Sequence, residues 1–376
     1  MNKKKILFIS SWFPSKSEPT NGNFVQRHAE AVSLLHDVEI LHAIGDFSQS
    51  STYVYDEKII NGLKTLIVYY KNTHNPIINF YRRMTAYKKG FEKMQFPELV
   101  HANVLHNSMV FAVYLKRTYK IPFVVTEHWT ALRQINSRKT SGMIKFWARY
   151  IGNKADFILP VSFDLLKGLE NLKINTAKTV IPNVVDTALF RHRNEIKNDF
   201  TFIHVSNLIP RKNSDKILAA AIALLKEGYR FKIQIGGDGD AATLKSLQDL
   251  VHQNSLAEHV EIFGMQKIDQ IAERMQNSDC FILFSEDENQ PCVIAESFAS
   301  GLRVISTDVG GVKEFFPAEG GILLPKSNIN LLKESMVKML ETPFTDQEKL
   351  VNFAEENFSV KSIATQFNKV YQKILP

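Results

Sequence analysis

Two glutamates, Glu288 and Glu296, bracket seven residues in the string Ser285-Glu286-Asp287-Glu288-Asn289-Gln290-Pro291-Cys292-Val293-Ile294-Ala295-Glu296. The apolar run Cys280-Phe281-Ile282-Leu283-Phe284 before it reads as a buried strand. Pro291 suits a first helical residue, whose N–H would be unpaired anyway. Gly301 suits the position just past a helix end, so a helix over residues 291–300 is expected. Glu288 then sits in a loop at the carboxyl end of a strand, and Glu296 in the second turn of the helix that follows. Carboxylates so placed accept hydrogen bonds from neutral hydroxyls, as on a sugar or a ribose. The start of the helix, with Gln290, Pro291, Cys292 and Val293, offers N–H groups and partial positive charge to an anion such as a diphosphate.

Further groups sit at the ends of other predicted strands. Gly22 and Asn23 lie in the first strand-to-helix loop, where a glycine lets the backbone approach a phosphate. His128 follows the strand Phe123–Thr126, with Glu127 as a rival for a polar contact. Asn207, Arg211 and Lys212 end the segment His204-Val205-Ser206-Asn207-Leu208-Ile209-Pro210-Arg211-Lys212; a guanidinium fork suits phosphate oxygens. Gly237 and Asp238 belong to Gly236-Gly237-Asp238-Gly239-Asp240-Ala241, which has dinucleotide-fingerprint spacing but opens neither the chain nor its first βαβ unit. Gly264 and Met265 end another strand. Taken singly, each has a blander reading: an acidic surface loop, a turn glycine, a structural histidine, a solvated basic helix start. His101, His106 and His128 match no metal-ligand spacing, so no metal is expected.

Glu288 and Glu296, followed by Ser297-Phe298-Ala299-Ser300-Gly301-Leu302-Arg303-Val304-Ile305-Ser306-Thr307-Asp308-Val309-Gly310-Gly311, resemble the E-x7-E region of the family-four retaining glycosyltransferases. The resemblance is strongest over residues 200–325 and patchy but collinear over 1–190. It implies the GT-B fold, two Rossmann-like domains facing a central cleft. It further implies that Glu288 contacts the donor sugar's hydroxyls, that Glu296 holds the ribose, and that His128 contacts the donor sugar. Gly22 and Asn23 would face the diphosphate, Gly237 and Asp238 would match the family's G-x-G segment, and Gly264 and Met265 would lie against the base. Arg and Lys of a G-R-L-x-x-x-K pattern grip the diphosphate in that family; Lys212 matches, whereas Asn207 stands where Arg is usual and Arg211 could compensate. Val184 likewise replaces the Gly of the I-P-N-G-V-D boundary segment.

The activity so implied is retaining transfer of a sugar from a nucleoside-diphosphate sugar, UDP favoured, to a hydroxyl acceptor in surface polysaccharide or glycolipid synthesis. Glu288, His128 and Lys212 would carry the chemistry, without metal and with no cofactor beyond the nucleoside-diphosphate sugar co-substrate. Two alternatives remain: a nucleotide-sugar epimerase of the same layout, and a catalytically silent nucleotide-sugar-binding partner protein.

The elements that must position these residues alternate strand and helix patterns through both halves, which argues for parallel sheets covered on both faces. In the first half strands are expected at 5–10, 38–44, 99–102, 123–126 and 157–161, with a hairpin turning at Asn61-Gly62. In the second they are expected at 200–205, 231–235, 260–263, 280–284 and 303–306. The expected domains are 1–190, an acceptor domain joined by a C-terminal helix at about 359–376, and 191–358, the donor domain; the charged segment 191–199 reads as a linker. At 44% hydrophobic and 23% charged residues the composition is globular, not disordered. Two cysteines, Cys280 and Cys292, make no disulfide framework and fit a reducing cytoplasm. The apolar start after Lys3-Lys4-Lys5 is too short for a signal peptide, and no run spans a bilayer.

A net charge of +7 favours an anionic partner. The partners expected are the donor and a saccharide or lipid-linked saccharide acceptor, and no nucleic acid. The helix over residues 80–94 has a stripe of Phe80, Met84, Tyr87, Phe91 and Met94 opposite Arg82, Lys89 and Lys93. It reads either as a core helix or as a peripheral contact with the anionic inner face of the cell membrane.

Overall fold

A computed structural model describes residues 3–193 and 199–375, in two compact units. Unit 1 runs to Val184 and resumes at Val360; unit 2 is Val185–Ser359. The division falls before the 190/191 boundary expected from the sequence because Val185–Phe190 is already tied to unit 2. The Val185 N–H donates to the Phe358 carbonyl at 2.9 Å, and Phe190 is buried in a unit 2 core. Most of the expected linker, 194–198, lies outside the described residues.

Unit 1 begins β1 (Lys5–Ser10), α1 (Asn23–Ser33), β2 (Asp37–Asp46), β3 (Tyr53–Ile60), β4 (Leu63–Lys71) and α2 (Pro76–Phe91). It continues β5 (Leu99–Asn103), α3 (Val110–Tyr119), β6 (Phe123–Glu127), α4 (Gly142–Gly152), β7 (Phe157–Pro160) and α5 (Phe163–Asn171). The sheet order is β3-β4-β2-β1-β5-β6-β7, parallel except for the β3–β4 hairpin. Alternation along β1 sends Leu7 and Ile9 into one core and Ile6 and Phe8 into the other, so both sheet faces are covered.

Unit 2 comprises β8 (Thr201–Asn207), α6 (Ser214–Lys226), β9 (Lys232–Asp238), α7 (Ala241–Gln253), β10 (Val260–Phe263) and α8 (Ile268–Gln276). Then come β11 (Cys280–Leu283), α9 (Cys292–Ala299), β12 (Arg303–Thr307), β13 (Gly321–Leu324), α10 (Ile329–Glu341) and α11 (Gln347–Phe358). All six strands pair in parallel in the order β10-β9-β8-β11-β12-β13. Strand β13 was not expected, since four residues entered through a glycine carry no run long enough to signal a strand.

The last helix, α12 (Val360–Ile374), returns the chain to unit 1. Its buried Ile363, Phe367, Val370 and Tyr371 pack with Val25, Ala29 and Val32 of α1, and the Tyr371 hydroxyl lies 2.6 Å from Nδ1 of His101.

Two local expectations change. Helix α9 has eight residues, not ten, and Pro291 is its cap: at ψ 117° Pro291 is extended, so winding starts at Cys292. At the other end Gly301, φ +76°, donates to Phe298 and Leu302 donates to Ser297, the paired bonds of a Schellman stop. The apolar stripe on α2 faces inward. Tyr87 and Phe91 are buried, Met84 and Met94 pack on the same core, and Phe80 stacks on Trp147. Lys89 and Lys93 lie over the rings of Tyr53 and Tyr55. That stripe is core and cannot enter a lipid boundary.

Candidate active site

In each unit the strand order reverses at one point, between β1 and β5 in unit 1 and between β8 and β11 in unit 2. Ligands of open α/β sheets bind outside the carboxyl ends of strands at such points. Asn207, Arg211, Lys212 and Glu288 lie there in unit 2, and Gly22 and Asn23 follow β1 in unit 1. Gly237 and Asp238, by contrast, end β9, Gly264 and Met265 follow β10, and His128 follows β6, further along each sheet.

In unit 2 the chain leaving β8 makes a short turn, Pro210–Lys212, and the chain leaving β11 makes the acidic loop. Four contacts bind the two. Asn213, itself left-handed at φ +53°, donates from Nδ2 to the Phe284 carbonyl at 2.9 Å. Arg211 donates to the Asp287 carbonyl at 2.8 Å, and the Glu286 N–H donates to the Arg211 carbonyl at 2.9 Å. Lys212 Nζ closes an ion pair with Glu288 Oε1, both side chains being about nine-tenths buried.

The expected phosphate grip and the expected sugar acid are therefore joined to each other. Their positions in sequence did not signal it, because 76 residues separate them. Glu296, in α9, is buried, as are Asn289 and Gln290 in the loop. Pro291, Cys292 and Val293 are half-buried at the helix start.

The glycine loop after β9 has a steric reason. Gly237 has φ +128°, and a Cβ there would lie 2.0 Å from the Ser206 carbonyl oxygen. It lets β9 run tightly beside β8, bringing Asp238 into register with Asn207. Both side chains are exposed at the sheet edge, and Gly264 and exposed Met265 follow β10 nearby in that order of strands. His204, within β8, is spent on structure: its ring nitrogens reach the Ile282 carbonyl and the Ser214 and Ser206 hydroxyls, and burial lowers its pKa to about 4.

In unit 1, Gly22 has φ +75°, and any Cβ would collide with the Trp12 backbone at 2.4 Å. It presses the loop before Asn23, the first residue of α1, onto the end of β1. His128 is buried among rings: Phe24 lies tilted at 4.1 Å and His28 at 5.4 Å, and the Asn183 side chain hydrogen-bonds it. Burial is the main reason its pKa falls well below the ordinary value, with His28 and His101 adding to the effect, so His128 is a neutral hydrogen-bonding group.

Glu127 is fully buried and does not rival it. Its carboxylate accepts the backbone N–H groups of Leu105 at 2.5 Å and Trp129 at 2.6 Å, tying the loops after β5 and β6 together. Burial raises its pKa to about 7 against those bonds. The tie sits beside a strained residue, β-branched Val104 at φ +68°.

Sequence spacing missed a second group in unit 1. Ser11 and Ser108 hydroxyls meet at 2.7 Å, His106 Nδ1 lies 2.9 Å from Ser108, and the rings of Trp12 and Trp129 meet edge to face at 5.9 Å. These residues come from three strand ends, so no short string announces them. His101 is committed to Tyr371 and Thr126. Among the described residues no group of three His, Cys, Asp or Glu is placed to hold a metal.

Two parallel-sheet, Rossmann-like units of this kind are shared with GT-B glycosyltransferases. Two family models tile the chain: Glycosyltransferase Family 4 matches residues 22–189, and Glycosyl transferases group 1 matches residues 186–357. The uncharacterised glycosyltransferase MJ1178 of Methanocaldococcus jannaschii is 27% identical over 98% of this chain and 99% of its own. The putative teichuronic acid biosynthesis glycosyltransferase TuaC of Bacillus subtilis is 23% identical over 89% and 88%. The crystal structure of Anabaena Alr3699/HepE in complex with UDP superposes with a TM-score of 0.74 at 16% identity, covering 98% of this chain and all of that one. The chain belongs to family 4 of the glycosyltransferases and has the GT-B fold.

Proposed function

We propose that this glycosyltransferase moves a sugar, with retention, from a UDP-sugar to a hydroxyl of a saccharide or lipid-linked saccharide acceptor during surface polysaccharide or glycolipid synthesis. The observation that carries the reading is the Lys212–Glu288 pair, largely buried at the strand reversal of unit 2 in the loops that lead to α6 and α9. UDP is named because it occupies HepE, and surface polysaccharide because TuaC is named for teichuronic acid.

In this mechanism Glu288 accepts hydrogen bonds from the donor sugar's hydroxyls and Glu296 from the ribose. Gly22 and Asn23 face the donor's diphosphate, Gly237 and Asp238 border it, and Gly264 and Met265 lie against the base. Bound donor draws Lys212 from Glu288 to the diphosphate, where Lys212, Arg211 and the α9 N–H groups offset the charge of the leaving group. That is electrostatic stabilisation and needs no metal. Neutral His128 donates or accepts one hydrogen bond at the sugar and carries no charge to it.

A thermal-shift panel of UDP-, GDP- and ADP-sugars tests the donor; the right one at 100 times its Kd adds about 2.7 kcal/mol. Proton NMR of the product then gives the anomer, and excess chelator should leave the rate unchanged. Glu288→Gln should lower kcat by about a hundredfold or more while UDP affinity holds. Conversion of UDP-GlcNAc alone would instead mark an epimerase, and donor binding without transfer or slow hydrolysis a silent partner.

A further inference from the structure

Helices α2 and α4 both begin at the carboxyl edge of the unit 1 sheet, and the Phe80–Trp147 stack brings them side by side. Their inner faces are core; their outer faces are unusual for a soluble surface. On α2, Ile77, Tyr81 and Lys88 fall on one line at 100° per residue, with Ile78 and Lys89 beside it. On α4, Met143, Phe146 and Tyr150 share a face with Arg149. Ile77, Tyr81, Met143 and Phe146 are 65%, 67%, 70% and 52% exposed, although nothing in their propensity requires large apolar groups in water.

Along the sequence the charges beside them have one sign, although Lys58, Lys64 and Arg133 are paired in the structure with Asp56, Glu39 and Asp164. Residues 58–91 and 128–155 hold thirteen of the chain's 46 lysines and arginines and none of its 39 acidic residues. The remainder of the chain is therefore net acidic, and the whole positive excess belongs to these stretches. Lysine is depleted in protein–protein interfaces. Bulky apolar tips set among cations with flexible stems fit an anionic bilayer, where rings and aliphatic groups enter the headgroup boundary and lysines reach phosphates.

We infer that the outer faces of α2 and α4 dock unit 1 on an anionic lipid surface. Ile77, Ile78, Tyr81, Met143 and Phe146 insert, and Lys88, Arg138, Lys139 and Arg149 pair with lipid phosphates. The surface depends on the transferase reading only for its purpose, which is to bring a lipid-linked acceptor to the carboxyl edge of the unit 1 sheet.

The test is flotation of the full chain with phosphatidylcholine vesicles, with and without about a third phosphatidylglycerol, at about 0.1 M and about 1 M salt. Binding should require the anionic lipid and weaken at high salt. Lys88→Ser, Lys139→Ser and Arg149→Ser together should lower the partition coefficient about a hundredfold. Ile77→Ser, Tyr81→Ser and Phe146→Ser together should abolish the binding that survives high salt. Removing equal charge from unit 2, with Lys245→Ser, Lys313→Ser and Lys349→Ser, should change it little. Melting temperature and UDP affinity of each variant show that fold and donor site are intact. A protein that binds vesicles but not UDP would overturn the UDP-donor reading alone. Equal loss in the unit 2 control, or no preference for anionic vesicles, overturns the docking surface. So does a dimer in light scattering that the apolar variants dissociate, which would assign the face to a second copy of the chain.

Discussion

At the strand reversal of unit 2 the candidate functional groups are charged and paired: Lys212 with Glu288, the Arg211 guanidinium on a loop carbonyl. At the strand reversal of unit 1 they are neutral: His106 and His128 among the rings of Trp12, Phe24 and Trp129, over a buried Glu127. The difference follows from what each must bind in the proposed reaction. A diphosphate requires cations, and between turnovers those cations need a carboxylate to hold them. A hydroxylated sugar, on donor or acceptor, requires neutral hydrogen-bonding groups and ring faces, and a charge there would cost desolvation without a counter-ion.

The largest expected effect separates the units by pH. His28, His42 and His106 are held to about 4 by burial, and His101 and His128 well below the ordinary 6.5, all in unit 1. Only His204 is held so in unit 2 among the described residues. Each stays neutral when folded and takes a proton when unfolded. Its stabilising contribution is therefore complete above pH 6.5 and is lost as pH falls through about 4, about 3 kcal/mol for each group held to about 4. Glu127, raised to about 7, works in the opposite direction: its contribution is complete below the ordinary carboxylate pKa and lost as pH rises through about 7. Five histidines outweigh one acid, so unit 1 weakens first on acidification. All three tryptophans, Trp12, Trp129 and Trp147, lie in unit 1, so their fluorescence reports that unit alone. Between pH 7 and 5 the fluorescence-monitored urea midpoint should fall ahead of the far-ultraviolet circular dichroism midpoint. Coincident midpoints throughout would erase the contrast.

The next effect belongs to unit 2. Lys212→Ala strands a buried carboxylate and should destabilise by about 3–5 kcal/mol, whereas Lys212→Met with Glu288→Gln, which removes both charges, should recover most of it. UDP affinity should fall in both, by about 1.5–3 kcal/mol for a lost charged hydrogen bond. A double-mutant cycle on melting and calorimetry checks this; additive single effects would mean the two groups do not act as a pair.

A smaller effect sharpens the contrast from the unit 1 side. Glu127→Gln presents an amide to N–H groups that now find a carboxylate, and should cost about 1–3 kcal/mol. The emission of the parent protein should titrate near pH 7, because Trp129 accepts its loop position from this carboxylate, and that titration should vanish in the variant. A titration that persists in Glu127→Gln would assign it elsewhere.

The contrast also explains what could be read from the chain. The unit 2 site lies mostly in two strings, Asn207–Lys212 and Glu288–Glu296, each a strand end running into a turn or helix, so spacing carried its geometry. What spacing could not carry was the pairing of Lys212 with Glu288, which depends on β8 and β11 being sheet neighbours. Both sheets were legible from alternation and apolar runs; β13 was not, nor was the exit of the chain from unit 1 at Val184 rather than at the charged segment. In unit 1 His128 was legible from its strand end. The burial that keeps it neutral is reinforced by His28 of α1 and His101 of β5, and Ser11, His106 and Ser108 come from two loops. On α2 the stripe was read correctly, but its inward sense is settled by packing against β2 and β4, which periodicity alone does not reveal.

The smallest effect concerns Asn207, where the family pattern usually has an arginine. Asn207→Arg adds the missing cation to unit 2, and a charged hydrogen bond to a diphosphate is ordinarily worth about 1.5–3 kcal/mol. Two features of this site reduce that. Position 207 is exposed at the end of β8, where an ion pair is typically worth no more than about 1 kcal/mol. Its register partner, Asp238, is an exposed carboxylate that would compete with the nucleotide for the new guanidinium. Arg211 already lies one turn away, held to the Asp287 carbonyl and available to phosphate at little cost. The variant should therefore tighten UDP by no more than about fivefold in calorimetry, and Asn207→Arg with Asp238→Asn should tighten it further. A gain of a hundredfold from the single change would show that the unit 2 site lacks a phosphate cation in its natural form, and that the Lys212–Glu288 pair does not open for the donor.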